Sequence, residues 1–215
     1  MPTDLQPEPP ADCRLCPRLV SLRHENALAE PSWFNGAVPS FGIPKKTKLL
    51  IVGLAPGLKG ANRTGRAFTG DQSGDLLYST LREFGFARGS YGGHVGDGLE
   101  LVDTMITNAV RCVPPANKPT AAEINTCRPF LADRLRTIGR LRAVVALGRV
   151  AHESTLTAFA LRKADHRFAH GARHEIDDGL SLFDSYHCSR YNVNTGRLTA
   201  AMFHDVFRAV RDAIG

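Results

Sequence analysis

Long hydrophobic runs are missing from this chain. No apolar stretch in its 215 residues approaches the roughly 20 needed to cross a bilayer. An export leader is missing too: residues 1–10 are Pro-rich and acidic, without the basic start and apolar core of a signal peptide. The expected setting is therefore the cytoplasm. An even cysteine count is absent. Five cysteines without a secretory signal argue against a disulfide framework. The glycine-rich segments match neither G-x-x-x-x-G-K-[ST] nor G-x-G-x-x-G, which weighs against a nucleotide-phosphate enzyme. There is no internal repeat and no compositional break. A disordered lead over residues 1–12 and one domain over residues 13–215 are the expected organisation.

What is present is an excess of basic residues, 27 Lys and Arg against 21 Asp and Glu, giving a net charge of +6. That balance suits a nucleic-acid partner, but charge alone does not separate such a protein from a merely soluble basic one. Hydrophobic residues make up 43% of the chain, enough for a substantial core.

Continuous apolar runs at Leu49–Leu54, Leu101–Asn108, Ala143–Gly148 and Leu180–Tyr186 read as buried parallel strands. Helical patterns separate or follow them: Leu19–Ala29, Gly74–Phe84, a stretch opened by the capping box Thr120-Ala-Ala-Glu123, Arg149–Leu161 and Leu198–Ile214. This alternation predicts an α/β fold with a mostly parallel sheet covered on both faces. Residues 163–178 read as an irregular polar excursion. Within it His166, His170 and His174 recur every four residues, but Gly171 interrupts the helix that would align them as metal ligands.

Ligand sites in such sheets lie at the carboxyl ends of the strands. The first strand ends in Gly53-Leu-Ala-Pro-Gly57 and a polar, basic loop reaching Asp71. The second ends at Asn108, and the fourth at His187 and the polar segment to Arg197. An Asn carries both donor and acceptor and can read the edge of a heterocycle, or it can simply satisfy backbone at a sheet end. A His can donate to an oxygen that gains charge, or it can be a packed core residue. Phe68 is a stacking wall or a core side chain. Arg63, Arg66, Arg190 and Arg197 are candidates for phosphate contacts.

The cysteines are paired in sequence. Cys13 and Cys16 form C-x2-C, and fourteen residues separate Cys112 from Cys127. Four converging thiolates suit structural zinc or an iron–sulfur cluster. A non-catalytic nucleic-acid-binding protein with such a four-cysteine metal staple is the competing reading to an enzyme.

Taken together, these blocks resemble uracil-DNA glycosylases of the iron–sulfur branch, family 5 or type b. The resemblance rests on Gly53-Leu-Ala-Pro-Gly57, Asn62-Arg-Thr-Gly-Arg-Ala-Phe-Thr-Gly-Asp71, Thr107-Asn-Ala-Val-Arg-Cys112, Cys127-Arg-Pro-Phe130 and His187-Cys-Ser-Arg-Tyr-Asn-Val-Asn-Thr-Gly-Arg-Leu-Thr199. It implies a three-layer α/β/α sandwich around a four-stranded parallel sheet, and a [4Fe–4S] cluster on Cys13, Cys16, Cys112 and Cys127. It also implies hydrolysis of the N-glycosidic bond of uracil in DNA, and of other deaminated bases such as hypoxanthine, by a monomer that leaves an abasic site. A base pocket would be built from Gly53, Ala55, Gly57, Phe68, Asn108 and His187. Ala55 stands where other branches carry a water-orienting polar residue, which leaves Asp71, Asn62 and Asn108 as candidates for that task. Ser189, Arg190, Tyr191 and Asn192 would enter the DNA stack, with Arg63, Arg66 and Arg197 on phosphates. The family usually has Pro where this chain has Cys188, a change expected to loosen the loop.

Overall fold

The structure is a computed structural model that describes residues 5–215. In chain order its main elements are α1 (Pro17–Ala29), β1 (Phe41–Gly42), β2 (Leu49–Gly53), α2 (Ala61–Thr64), α3 (Gln72–Glu83), β3 (Ala87–Arg88), β4 (Glu100–Leu101) and β5 (Thr104–Asn108). They continue with α4 (Ala121–Thr137), β6 (Ala143–Leu147), α5 (Arg149–Ala158), β7 (Arg173–Asp177), β8 (Leu180–Ser185), α6 (Arg190–Asn194) and α7 (Ala200–Ile214).

A six-stranded sheet has the order β1-β5-β2-β6-β8-β7. Its centre, β5-β2-β6-β8, is parallel throughout. These are the expected parallel strands, and every residue of each is buried. Burial on both faces explains why they read as unbroken apolar runs. Alternate side chains serve opposite layers. Leu49, Ile51, Val145 and Phe183 pack with Leu77 and Leu81 of α3 and Phe203 and Phe207 of α7. Leu50, Val52, Val144 and Leu182 pack with Leu131 and Leu135 of α4 and Ala151 and Leu156 of α5. The result is a three-layer α/β/α sandwich.

The sheet is wider than its expected parallel centre, because β1 and β7 add antiparallel edges. β7 lies inside the segment expected to be irregular. Its sequence Arg-His-Glu-Ile-Asp alternates exposed and half-buried positions. An edge strand with charges along its outer side reads as polar surface in sequence. The run expected as one strand from Leu101 to Asn108 is divided. Asp103 takes a left-handed φ of 47° between β4 and β5, and its carbonyl accepts from the Lys48 and Leu49 amides. Aspartate tolerates that conformation better than most residues.

The expected disordered lead needs correction over its described part; residues 1–4 lie outside the described residues. The Glu8 carboxylate accepts from the Ser40 amide and pairs with both Arg111 and Arg134. Arg111 is only 1% exposed. A buried guanidinium requires a counter-charge, and Glu8 supplies it from the lead.

Candidate active site

The carboxyl ends of all four parallel strands open into one cavity of about 370 Å³. Its walls include the loop after β2, Asn108 at the end of β5, Gly148 and Val150 beyond β6, and His187 beyond β8. The β2–β5 pairing persists past the strands, through Ala109 N–H to the Gly53 carbonyl and Val110 N–H to the Leu54 carbonyl. These bonds fix the two loops side by side.

Gly53 is a condition of the site. A Cβ there would lie 2.4 Å from Asn108 Oδ1 and 2.6 Å from Phe68 Cζ. Both side chains therefore close over a bare backbone. Phe68 itself sits at φ 53°, an uncommon conformation for a bulky residue, held within a buried wall. Its ring stacks on His187 with centroids 5.7 Å apart and planes 25° apart.

Asn108 is 3% exposed, and its Oδ1 has no hydrogen-bond partner among the described residues. A buried amide oxygen without a donor costs about 1–3 kcal/mol, a strain that a bound donor relieves. Burial pushes the His187 imidazole below its ordinary pKa, and the Asp71 carboxylate pulls it only partly back. The ring is therefore neutral at pH 7 and carries one N–H donor. Asn192 Nδ2 donates to the His187 carbonyl at 2.8 Å and pins that backbone.

Asp71 has two tasks. Its Oδ1 caps α3 by accepting from the Ser73 amide at 3.0 Å. Its Oδ2 lies against the glycine bend, where a Cβ on Gly60 would approach to 2.2 Å. It also lines the cavity, together with Ala55 and Gly57.

Two expected site residues are placed elsewhere. Asn62 is buried behind the cavity wall, where its Nδ2 donates to Asn35 Oδ1 at 2.9 Å. It is not among the residues that line the cavity, and its Oδ1 has no hydrogen-bond partner among the described residues. Arg66 does not face solvent. It makes a double hydrogen bond to Asp97 at 2.9 and 2.6 Å, with side-chain exposures of 6% and 2% for the pair. The guanidinium also lies over the Phe41, Tyr78 and Tyr91 rings and holds the Asp97 carboxyl well below the usual carboxylate range. Removing one partner of a buried pair leaves the other charge stranded. Arg66→Ala is accordingly expected to destabilise the protein by about 3–5 kcal/mol. Thermal melting reads this as a fall of about 10 °C, while the salt slope of nucleic-acid binding stays unchanged.

The other basic candidates are exposed. Arg63 bonds the Gly70 carbonyl, and Arg197 lies 4.7 Å over the Tyr186 ring. The segment after His187 is not the loop expected. Ser189 caps the short helix α6, which carries Arg190 and Tyr191 outward, Tyr191 at 72% exposure. Cys188 is fully buried, and its thiol donates to the Ser73 carbonyl at 3.5 Å. It anchors the segment where loosening was expected.

Asn117, Gly148, Arg149 and Val150 also line the cavity and were missed in sequence. The carboxyl end of the third strand, Leu147-Gly148, was itself the signal for three of them.

The four paired cysteines converge. Cys13, Cys16 and Cys127 pack against Cys112, with Leu19, Ala37 and Val110 around them and Ala55 on the side of the active-site loop. None of them forms a disulfide. Burial pushes Cys112 up to about 12 and Cys127 up to about 11, and neighbouring thiolates add to both shifts. Thiols that oppose one another's ionisation fit a cationic metal group, which neutralises them together. This donor set fits the cluster implied by the sequence.

The family model described as the uracil DNA glycosylase superfamily matches residues 39–211. The chain is 45% identical over 209 residues to a type-5 uracil-DNA glycosylase of Thermus thermophilus, covering 94% of each chain. It is 44% identical over 211 residues to one from Mycobacterium tuberculosis, covering 94% of this chain and 78% of the relative. A further type-5 relative from Pyrobaculum aerophilum is 40% identical over 212 residues, covering 94% and 89%.

Proposed function

Because the chain belongs to the uracil-DNA glycosylase superfamily, on its type-5 branch, we propose that its cavity receives a uracil flipped out of DNA and hydrolyses the glycosidic bond. The single observation that carries this reading is the buried Asn108 amide, with its partnerless oxygen, beside the Phe68–His187 stack. An imide edge such as that of uracil supplies the missing donor.

In this reading Phe68 packs on the base and Asn108 pairs with its edge. Water attacks C1′ as the bond from C1′ to N1 breaks. The bonding pair leaves with the base, and the neutral His187 donates its N–H to the O2 atom where charge gathers. Asp71, which lines the cavity, orients the water and accepts its proton. The small Ala55 leaves room for other deaminated bases, including hypoxanthine. No lysine is among the described residues lining the cavity, which supports hydrolysis without a Schiff-base step. Arg63, Arg190 and Arg197 grip phosphates, and Tyr191 enters the gap left in the stack. The active form is a monomer, its single domain includes the described part of the lead that carries Glu8, and it acts on DNA in the cytoplasm.

We assign Cys13, Cys16, Cys112 and Cys127 as holders of a [4Fe–4S] cluster that ties the N-terminal knuckle to the segment after β5 and to α4.

Purified protein is expected to release uracil from a duplex containing a U·G pair; DNA binding without any base release, across single- and double-stranded substrates, would refute the reading. The pH dependence is specific. The folded His187 pKa lies below the ordinary value of about 6.5. Single-turnover excision should therefore stay flat through neutral pH, with any change due to His187 confined to the acid side of about 6.5. His187→Gln keeps an N–H donor without titrating, so its rate should be lower and lack any such change. Stability shares the direction: below about pH 6.5 the unfolded chain binds the proton first, so stability declines as pH falls toward the folded pKa.

A further inference from the structure

Among residues that line neither the base cavity nor the thiol cluster, three side chains converge that the glycosylase reading does not use. Asp184 is completely buried, with its carboxylate between two imidazoles. His152 Nδ1 lies 2.7 Å from Oδ1 and His174 Nε2 lies 3.1 Å from Oδ2. The three ligand atoms fall within 4.8 Å of one another, the only such trio of potential ligands among the described residues.

The opposite side of His152 constrains what can occupy this site. Its Nε2 faces the His166 carbonyl at 2.8 Å. A carbonyl only accepts, so Nε2 carries a hydrogen. In the neutral ring, Nδ1 then presents a lone pair to a carboxylate oxygen. Two acceptors at that distance require a positive centre between them, either a second proton or a metal ion. An imidazole held by a backbone carbonyl on one nitrogen, with the other turned toward a carboxylate, is the arrangement found around protein metal ions.

We propose that His152, His174 and Asp184 form a second metal site, separate from the cysteines, that takes a zinc-type divalent cation. Two imidazoles and one carboxylate match zinc better than magnesium or calcium, which prefer oxygen-rich shells. Zinc holds such ligands at about 2.0–2.2 Å, so they lie about 3.3 Å apart in a tetrahedral shell. The His152–Asp184 pair has to open by only about 0.6 Å to reach that spacing. Binding replaces the two His–Asp hydrogen bonds with metal bonds and displaces a proton from any imidazolium present. His174, 13% exposed on edge strand β7, gives the ion a route in and leaves the fourth position to solvent. The ion would staple β7 and the His166 segment to α5 and β8. Of these, α5 borders the base cavity at Arg149 and Val150, and β8 leads into His187.

Cobalt(II) and zinc(II) titration of wild type and His174→Ala tests this directly, because both proteins carry the same cysteines. Wild type is expected to take up one more cobalt per chain, with ligand-field bands of nitrogen and oxygen coordination and no added thiolate charge transfer. His174→Ala should bind zinc at this site at least about 100-fold more weakly. Zinc at about 100 times its Kd should raise the melting temperature of wild type by about 5–10 °C and leave the variant unmoved. Equal uptake by the two proteins would overturn the proposal. Should the variant misfold, wild type alone decides: zinc must shift the ring-nitrogen resonances of His152 Nδ1 and His174 Nε2, and unshifted nitrogens would equally overturn it. Neither readout depends on base excision.

Discussion

Asn108→Ala is expected to slow uracil release about 10²–10³-fold while changing affinity for undamaged DNA by less than about threefold. The asymmetry follows from where Asn108 sits. It is buried at the carboxyl end of β5, under Gly53 and beside Phe68, and its oxygen has no protein partner among the described residues. In the proposed reading a flipped base would reach it, while the phosphate backbone would not. Truncation removes the polar contact with the base edge and lets water into the space, which weakens the transition state more than the encounter. Single-turnover excision and a binding isotherm on uncleavable duplex separate the two quantities. Equal losses in both would assign Asn108 to sheet architecture instead. Asn108→Asp sharpens the test, because it keeps the shape but turns a carboxylate toward the uracil carbonyls. It should be at least as slow as the alanine variant.

Cys112→Ala is expected to give a colourless protein whose melting temperature falls by about 10 °C or more. Cys112 is the most buried of the four cysteines and packs the end of the β5 segment against the knuckle at Cys13 and Cys16. Without it the proposed cluster would lose a ligand, and with the cluster would go the positive charge that lets the remaining thiols ionise together. The damage should begin locally. The two cores on the faces of the sheet contain none of these four cysteines, so the sheet should persist while α1 becomes exchangeable. Hydrogen exchange would then show protection lost first over residues 13–29. Excision should fall at least about tenfold, because Ala55 of the active-site loop packs against the cysteine cluster. A brown Cys112→Ala protein with an unchanged melting curve would remove Cys112 from the ligand set.

Much of the fold was legible because burial on two faces writes itself into sequence. The four central strands read as continuous apolar runs, and the capping box at Thr120 and Glu123 is present as expected. Edge elements were not legible. β7 is half exposed, so its alternation looks like polar surface, and α6 is a single short turn fixed by the Ser189 cap. The candidate site divides the same way. Asn108 and His187 stand at or just beyond strand ends and Phe68 in the loop motif after β2, and all three line the cavity. Arg66 and Asn62 stand in the same motif and were misplaced, because a motif gives neighbours in sequence and not the direction of a side chain.

By itself the sequence determined the α/β class, the parallel core, the convergent cysteines and the family, since each is carried by periodicity, spacing or residue identity. Only the tertiary structure decided which charges are spent internally. Arg66 is neutralised by Asp97, thirty-one residues away in sequence, and Arg111 by Glu8 from the lead. The structure also brought His152, His174 and Asp184 together from α5, β7 and β8. Partnerships of this kind depend on long-range packing, and a buried charge takes whichever counter-charge the fold delivers to it.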